Sequence, residues 1–490
     1  MRYVKAMSLR NSLAMLACVL PAVVALLTSF GVASAGSAER AQESGRTVLY
    51  VDSGSLGGAC SDDRPAADVS RAAPWCSLDR ALEAAPDDSV VLVRGGAYAA
   101  AEVRGRSRSE FVTLRPFEGE KVTLEGLSIE DSSHLRFEGF TIRGRTRIQF
   151  GSRIQLLGND IAQEGIAIRP SDRVMIEGNQ IHDLTYEGSV AGAGYGVWMI
   201  GGWHDPARPQ KVTNVTIRGN RFSKIPADGI QASRVENVLI DDNEFDHITP
   251  FLRSDEHSDG IQLHGQATNV TIRRNFFHDQ LGALIAKRSA FRNLVVENNV
   301  MVRLHAIALN IYDAPGARIV NNTIWDTGAA LSFRDLPEIA VEMKGAIVAN
   351  NVLEKLRFET SQVAVEDYNL IGARERATRY GPNDLFGKPG FVSPLVLDYR
   401  LRRRSRAVDS GASQYAPRGD REGRRRIDIR GLRNRGTGSR PYVDRGALEY
   451  VSGQWNSSGP TLVYKVGSAV TLAVRDSAGA SGRYPLGLFG

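Results

Sequence analysis

The chain has 490 residues, 42% of them hydrophobic and 24% charged. That composition excludes a disordered chain, and the length exceeds what one compact core ordinarily spans. Glycine is abundant at 49 residues against 19 prolines, which fits many turns and neither a linker nor collagen. The net charge of +6 is uneven, because between Arg400 and Arg445 fifteen arginines face five acids. The rest is mildly acidic, which excludes wholesale nucleic-acid binding.

Residues 1–35 read as a secretory signal peptide. Arg2, Lys5 and Arg10 precede an apolar run from Leu13 to Leu27, and Ala33-Ser34-Ala35 supplies a cleavage pattern. Past that segment remain Cys60 and Cys76, an even pair that predicts a disulfide in an exported protein. Closing that loop contributes about 3 kcal/mol in the chain-entropy picture. No other stretch is long and apolar enough to span a bilayer. The expectation is a secreted, extracellular or periplasmic monomer with no stable membrane insertion.

Thr47–Asp52 reads as a strand. Ser77 then caps an amphipathic helix with Leu78, Ala81, Leu82 and Ala85 on one face. Together with the strand Ser89–Val93 these elements form an N-terminal cap over residues 46–100, covering strand edges that would otherwise aggregate.

The middle of the chain repeats. Asn-Val-Thr-Ile-Arg-Gly-Asn-Arg-Phe at Asn214–Phe222 recurs in varied form at Asn237–Phe245 and Asn269–Phe277, with weaker copies on both sides. The repeated asparagines are 159, 179, 220, 243, 275, 299, 322 and 351. Each unit alternates apolar and polar residues before its Asn, which is strand patterning. A lone short strand cannot bury its face, but stacked copies can, and the Asn side chains would stack into a hydrogen-bonded ladder. The step from 179 to 220 is read as two coils or one coil with a loop, the excursion being Gly188–Pro209. An Arg-rich closing segment over 400–450, read as a solvated surface, ends the repeat region of 36–450. Residues 451–490 read as a poorly ordered tail.

The strand–Asn units resemble the right-handed parallel β-helix proteins of the pectate-lyase-like superfamily, over roughly residues 46–450. The resemblance implies an all-β solenoid with a short N-terminal capping helix. It does not fix an activity, because the fold hosts lyases, hydrolases, epimerases and adhesins.

A second strand follows each Asn unit, and aligning these gives outward columns. One runs Arg169, Ile200, Ser233, His264, Lys287, Asn310, Arg334. Another runs Ala167, Trp198, Gln231, Gln262, Ile285, Ala308, Ser332. Just before the strands stand Glu164, Tyr195, Asp228, Asp259, Gly282, His305 and Ala329. Asp228 and Asp259 are expected to stack, and with Asp255 and Glu256 could hold calcium through oxygen ligands. Lys287 and His264 offer a base for proton abstraction, since neighbouring cations favour a neutral lysine. Arg334 or calcium would neutralise a substrate carboxylate. Gln231, Gln262, Asn310, His305, His257, Tyr195 and Trp198 are candidate sugar contacts.

The expected substrate is an extracellular acidic polysaccharide, and the expected reaction is β-elimination or C5 epimerisation at a uronate. Two alternatives stand beside it. His257-Ser258-Asp259-Gly260-Ile261 is similar to a polygalacturonase block in which such an Asp is catalytic, which makes a hydrolase one of them, with Asp228 and Asp259 as its acid/base pair. The other is a non-catalytic glycan-binding surface protein.

Overall fold

The computed structural model describes residues 45–451, apart from 55–58, 186–193, 203, 250–257, 288, 290, 335–342, 360–362 and 375–379. It also describes three strands, Val463–Val466, Ala469–Arg475 and Ser481–Pro485. Residues 1–44 lie outside the described residues. Among those described, no helix is long and apolar enough to cross a membrane.

The chain winds into a parallel solenoid, each complete coil laying one strand on each of three faces. The first face stacks Thr47–Val51, Ser89–Val93, Val112–Pro116 and their successors to Val365–Asp367. The second follows the Asn turn and includes Arg221–Ile225, Glu244–Ile248 and Phe276–Gln280. The third includes Ile166–Ile168, Val197–Ile200, Ile230–Ser233, Asp259–His264 and Gly282–Lys287. Long strands, Val300–Tyr312 and Thr323–Arg334, bend from second face to third and join them into one sheet. Inward residues form one continuous core, in which Phe222, Phe245 and Phe277 are fully buried and stack at 4.7 and 4.5 Å.

The Asn ladder sets the register of this stack. Asn159, Asn179, Asn220, Asn243, Asn275, Asn299, Asn322, Asn351 and Asn369 are all buried. In each step the amide and backbone N–H of one Asn donate to the side-chain oxygen of the next; Asn220 Nδ2 and N reach Asn243 Oδ1 at 3.0 and 2.9 Å. The Nδ2 groups also donate to first-face carbonyls, as Asn243 does to Ile217 at 2.9 Å. The backbone N–H of Asn369 meets a carboxylate, Asp384 Oδ1, at 2.7 Å, a stronger acceptor than an amide. Asn179 donates directly to Asn220, so the long step is a single coil. Val197–Ile200 is a regular third-face strand paired on both sides, which corrects the reading of Gly188–Pro209 as one excursion. An outer ladder runs the opposite way, from Asn293 through Asn269 and Asn237 to Asn214, and ends on Asp172 Oδ1 at 2.6 Å.

Both ends are closed. Ser77 Oγ accepts from Arg80 N at 3.1 Å, and the helix Leu78–Ala84 buries Leu78, Ala81 and Leu82. Cys60 and Cys76 form a disulfide with a Cα–Cα distance of 5.0 Å. Most arginines of the Arg-rich segment face solvent, as expected from its charge: Arg402, Arg403, Arg404, Arg406, Arg418, Arg425, Arg430, Arg433 and Arg435 are exposed. The segment also packs back along the Asn turns, where the residue before each late ladder Asn grips it. Asn298, Asn321 and Asn350 donate to Gly419 O, Asp444 O and Ala412 O, each at 2.9 Å. Arg426 is buried between Glu449 and Asn298, 2.9 Å from each, and Arg445 donates to Asn369 O at 2.7 Å. Charge in the sequence did not single out Arg426 and Arg445, whose buried guanidiniums are satisfied by Glu449, Asn298 and backbone carbonyls.

Replacing Asn243 by Ala strands the donors of Asn220 and the carbonyl of Ile217. Unfolding stability should fall by about 2–4 kcal/mol, read by denaturant titration; a change within about 0.5 kcal/mol would remove the ladder as a stabilising element.

The ladder's carboxylate end loses stability as pH rises. Burial, then the adjoining Asp384, pushes Glu366 up to about 9, and both carboxylates receive the Gly381 N–H, at 2.6 and 3.1 Å. Burial, then Glu449 and Asp428, raises Asp409 to about 6. A carboxyl raised above its unfolded value stabilises fully below that value, and its contribution is lost as pH rises through the folded pKa. Protection of residues 366–374 and 380–384 from hydrogen exchange should therefore decline as pH rises from the ordinary Glu value of 4.5 to about 9, after correction for intrinsic exchange rates. Glu366→Gln should flatten that decline; an unchanged slope would contradict the raised Glu366 carboxyl.

Candidate functional site

The third face carries the densest set of chemistry-bearing side chains, and its geometry follows from the β register. Gln231 pairs with Gln262 and His264 with Lys287 in adjoining strands, as the sequence columns predict. Adjoining coils lie about 4.8 Å apart. His264 and Lys287 are each partly buried.

The register beyond Lys287 differs from the predicted one. Leu284, Ile285 and Ala286 pair with Leu309, Asn310 and Ile311, so continuation sets Lys287 level with Tyr312. Tyr312 in turn pairs with Arg334. Asn310 therefore belongs beside Ile285, Ala308 is buried, and His305 is exposed at an irregularity between Leu304 and Ile307. A two-residue slip preserves in–out alternation, so apolar pattern could not detect it; a one-residue slip would have. Counting back from the turn at Asp313 would have placed Tyr312. Asn310 Nδ2 donates to Tyr312 Oη at 3.3 Å, and Asn310 Oδ1 is buried with no hydrogen-bond partner.

Asp228 is a second correction. Alternation and stacking predicted a solvent-facing carboxylate, but it is 1% exposed. Its Oδ1 accepts from the backbone N–H of Asp259 at 2.9 Å, and its Oδ2 from the amides of Gln262 and Gln231. Both oxygens are thus occupied by protein donors, and Asp228 orients the two glutamines. Asp259 is buried as well, under the position where Gly282 leaves no room for a side chain; a Cβ there would lie 2.4 Å from Asp259 Oδ1. Asp255, Glu256, His257 and Trp203 lie outside the described residues, as does the side chain of Arg334.

Towards the N-terminal coils the face becomes basic and aromatic. Trp198 Nε1 donates to Gln231 Oε1 at 2.9 Å, and Tyr195 and Trp198 stack at 6.3 Å and 14°. The Arg169 guanidinium sits 4.9 Å from the Trp198 ring centre. Burial, then the charges of Arg147 and Arg145, hold Arg169 below the usual arginine range. Charge alone in the columns did not single out Arg147 and Arg169; Arg169 is marked out by its contact with Trp198.

A separate cluster lies on the second face. Ligand atoms of Asp246, His278 and Asp279 fall within 4.8 Å of one another. Burial opposes charge on His278, but hydrogen bonds to Asp279 and Glu244, at 2.8 and 3.2 Å, and the charge of Asp246 outweigh it and raise its pKa. Arg221 pairs with Asp246 at 2.8 Å, and Arg303 pairs with Asp279. A proton and two guanidiniums therefore balance these carboxylates.

The sequence matches the family described as right handed beta helix region over residues 102–324 and again over 195–366. The chain belongs to the right-handed β-helix family. Among solved structures, this β-helix protein is similar to XylC in complex with xylose, at 10% identity over 82% of this chain and 98% of that one, with a TM-score of 0.54. It also aligns with pectate lyase Pel9A at 13% identity, over 83% and 98%, with a TM-score of 0.42. A third match is the Streptococcus pneumoniae surface protein and adhesin PfbA, at 12% identity over 60% and 94%, with a TM-score of 0.36. The likeness to XylC shows a shared fold alone. No curated protein matches the sequence.

Asp228→Ala should expose the architectural role of that carboxylate. It strands the buried N–H of Asp259 and the amide of Gln262, so stability should drop by about 2–4 kcal/mol. A neutral change in thermal unfolding would return Asp228 to the solvent-facing role the sequence suggested.

Proposed function

We propose that this β-helix protein is an exported lyase that cleaves a uronate-containing polysaccharide by β-elimination on its third face. The observation that carries the reading is the run His264–Lys287–Tyr312, consecutive outward positions in one parallel register. In the proposed reaction neutral Lys287 removes the proton at C5. The C5–H electron pair forms the C4–C5 double bond, the C4–O bond breaks, and the Tyr312 hydroxyl delivers its proton to the departing oxygen. Arg334, which pairs with Tyr312 along the sheet, is the candidate to neutralise the carboxylate while charge develops beside it. His264 is the alternative base.

The three side chains project from one sheet face. That favours elimination over C5 epimerisation, which needs reprotonation from the far side of the ring. The hydrolase alternative loses support, because Asp228, one of its two carboxylates, is buried on N–H donors. Calcium is left out of the mechanism for the same reason: Asp228 is the member of the expected set whose oxygens are already taken.

Purified protein incubated with pectate, alginate and glycosaminoglycans should generate the absorbance of an unsaturated uronate on at least one of them. Lys287→Ala should lower that rate about a hundredfold or more with thermal unfolding nearly unchanged, since the side chain lines the outer face. Reducing ends without new absorbance would establish a hydrolase instead. Full activity in Lys287→Ala and in Tyr312→Phe would remove this column from the mechanism.

A further inference from the structure

The uronate reading leaves the basic, aromatic end of the third face unused, although it lies on the same sheet face. Arg147, Ala167, Trp198, Gln231 and Gln262 form one continuous outward column. Arg169 stands one column over, in line with Ile200, Ser233, His264 and Lys287. Four coil steps separate Arg169 from Lys287, about 19 Å at 4.8 Å per step.

Two features make this end more than a solvated strand face. The first is charge: Arg145 is paired with Glu164 at 3.0 Å, whereas no carboxylate pairs with Arg147 or Arg169 among the described residues. Two guanidiniums on adjoining coils repel each other unless an anion sits between them. The second is positioning. Trp198 is fixed by its hydrogen bond to Gln231, by stacking on Tyr195, and by its place in the sheet. Its ring in turn holds the plane of Arg169, leaving the guanidinium edge for bidentate pairing with an oxyanion. Gln231 is itself oriented by buried Asp228, so the chain of contacts runs from the interior to the half-buried Arg169.

We propose that Arg147 and Arg169, the latter held against Trp198, form a distal subsite for an anionic pyranose, remote from the Lys287 column and engaged by long chains lying along the solenoid axis. The inference rests on the proposed polyuronate substrate and adds a length dependence to it. The recognised group is a carboxylate or sulfate, and both pair with arginine in the same geometry.

The test is calorimetric binding, which needs no turnover. Wild-type protein is titrated with short and long oligogalacturonates, with heparin fragments, and with neutral cello-oligosaccharides. Affinity should rise with length for the carboxylated or the sulfated series, whichever carries the natural anion, and not for the neutral one. In Arg169→Gln and Arg147→Gln the gain from length should shrink about tenfold, the equivalent of one charge-assisted pair, and added salt should weaken wild type more than either variant. A gain that survives both substitutions, an equal gain for the neutral series, or no binding to either anionic series overturns the subsite. If length-dependent anionic binding requires Arg169 but no substrate is turned over, the subsite stands and the lyase reading fails. If turnover depends on Lys287 while Arg169→Gln binds like wild type, the reverse holds.

Discussion

Everything on the third face depends on the stacking of one buried asparagine on the next. Each ladder step ties a backbone N–H and a side-chain amide to the following coil, so a coil can differ greatly in loop length and still arrive in register. The step from Asn179 to Asn220 shows this most clearly: forty-one residues separate donors and acceptor, yet the contact is 2.9 Å. Because the ladder is buried, an unmade bond leaves a polar group without water and costs about 1–3 kcal/mol. Register is therefore strongly enforced, and the outward columns inherit it.

That enforcement explains how function can be carried by short strands. A side chain on a third-face strand is held by its neighbours at a fixed spacing of about 4.8 Å, while the turns between faces are free to lengthen. Asp228 extends the same logic to the third face: it ties its coil to the next through the Asp259 N–H and orients Gln231 and Gln262. At the far end the doubled asparagines divide the work. Asn299, Asn322 and Asn351 continue the ladder, while Asn298, Asn321 and Asn350 hold the returning Arg-rich segment.

Much of this was legible in the sequence, and what was not has physical reasons. The repeated Asn positions predicted the ladder because a buried amide at a constant turn position has few other partners. The pairings of Gln231 with Gln262 and of His264 with Lys287 followed from local alternation. The Lys287–Tyr312 level was missed because alternation has period two and cannot resolve a two-residue shift across the irregularity near His305. Asp228 was misplaced because a carboxylate before a strand looks solvent-facing until the donors that surround it are known. In the closing segment the buried Arg426 and Arg445 were not told apart from their exposed neighbours, because buried arginines and solvated ones look alike in composition.

The most direct test of the account is a crystal structure of Lys287→Ala protein with a long oligogalacturonate bound. The account predicts sugar lying along the third face parallel to the solenoid axis, with one uronate carboxylate near Arg169 and another ring over the His264–Tyr312 column. Sugar bound on the first or second face, or only at the turns, would contradict it.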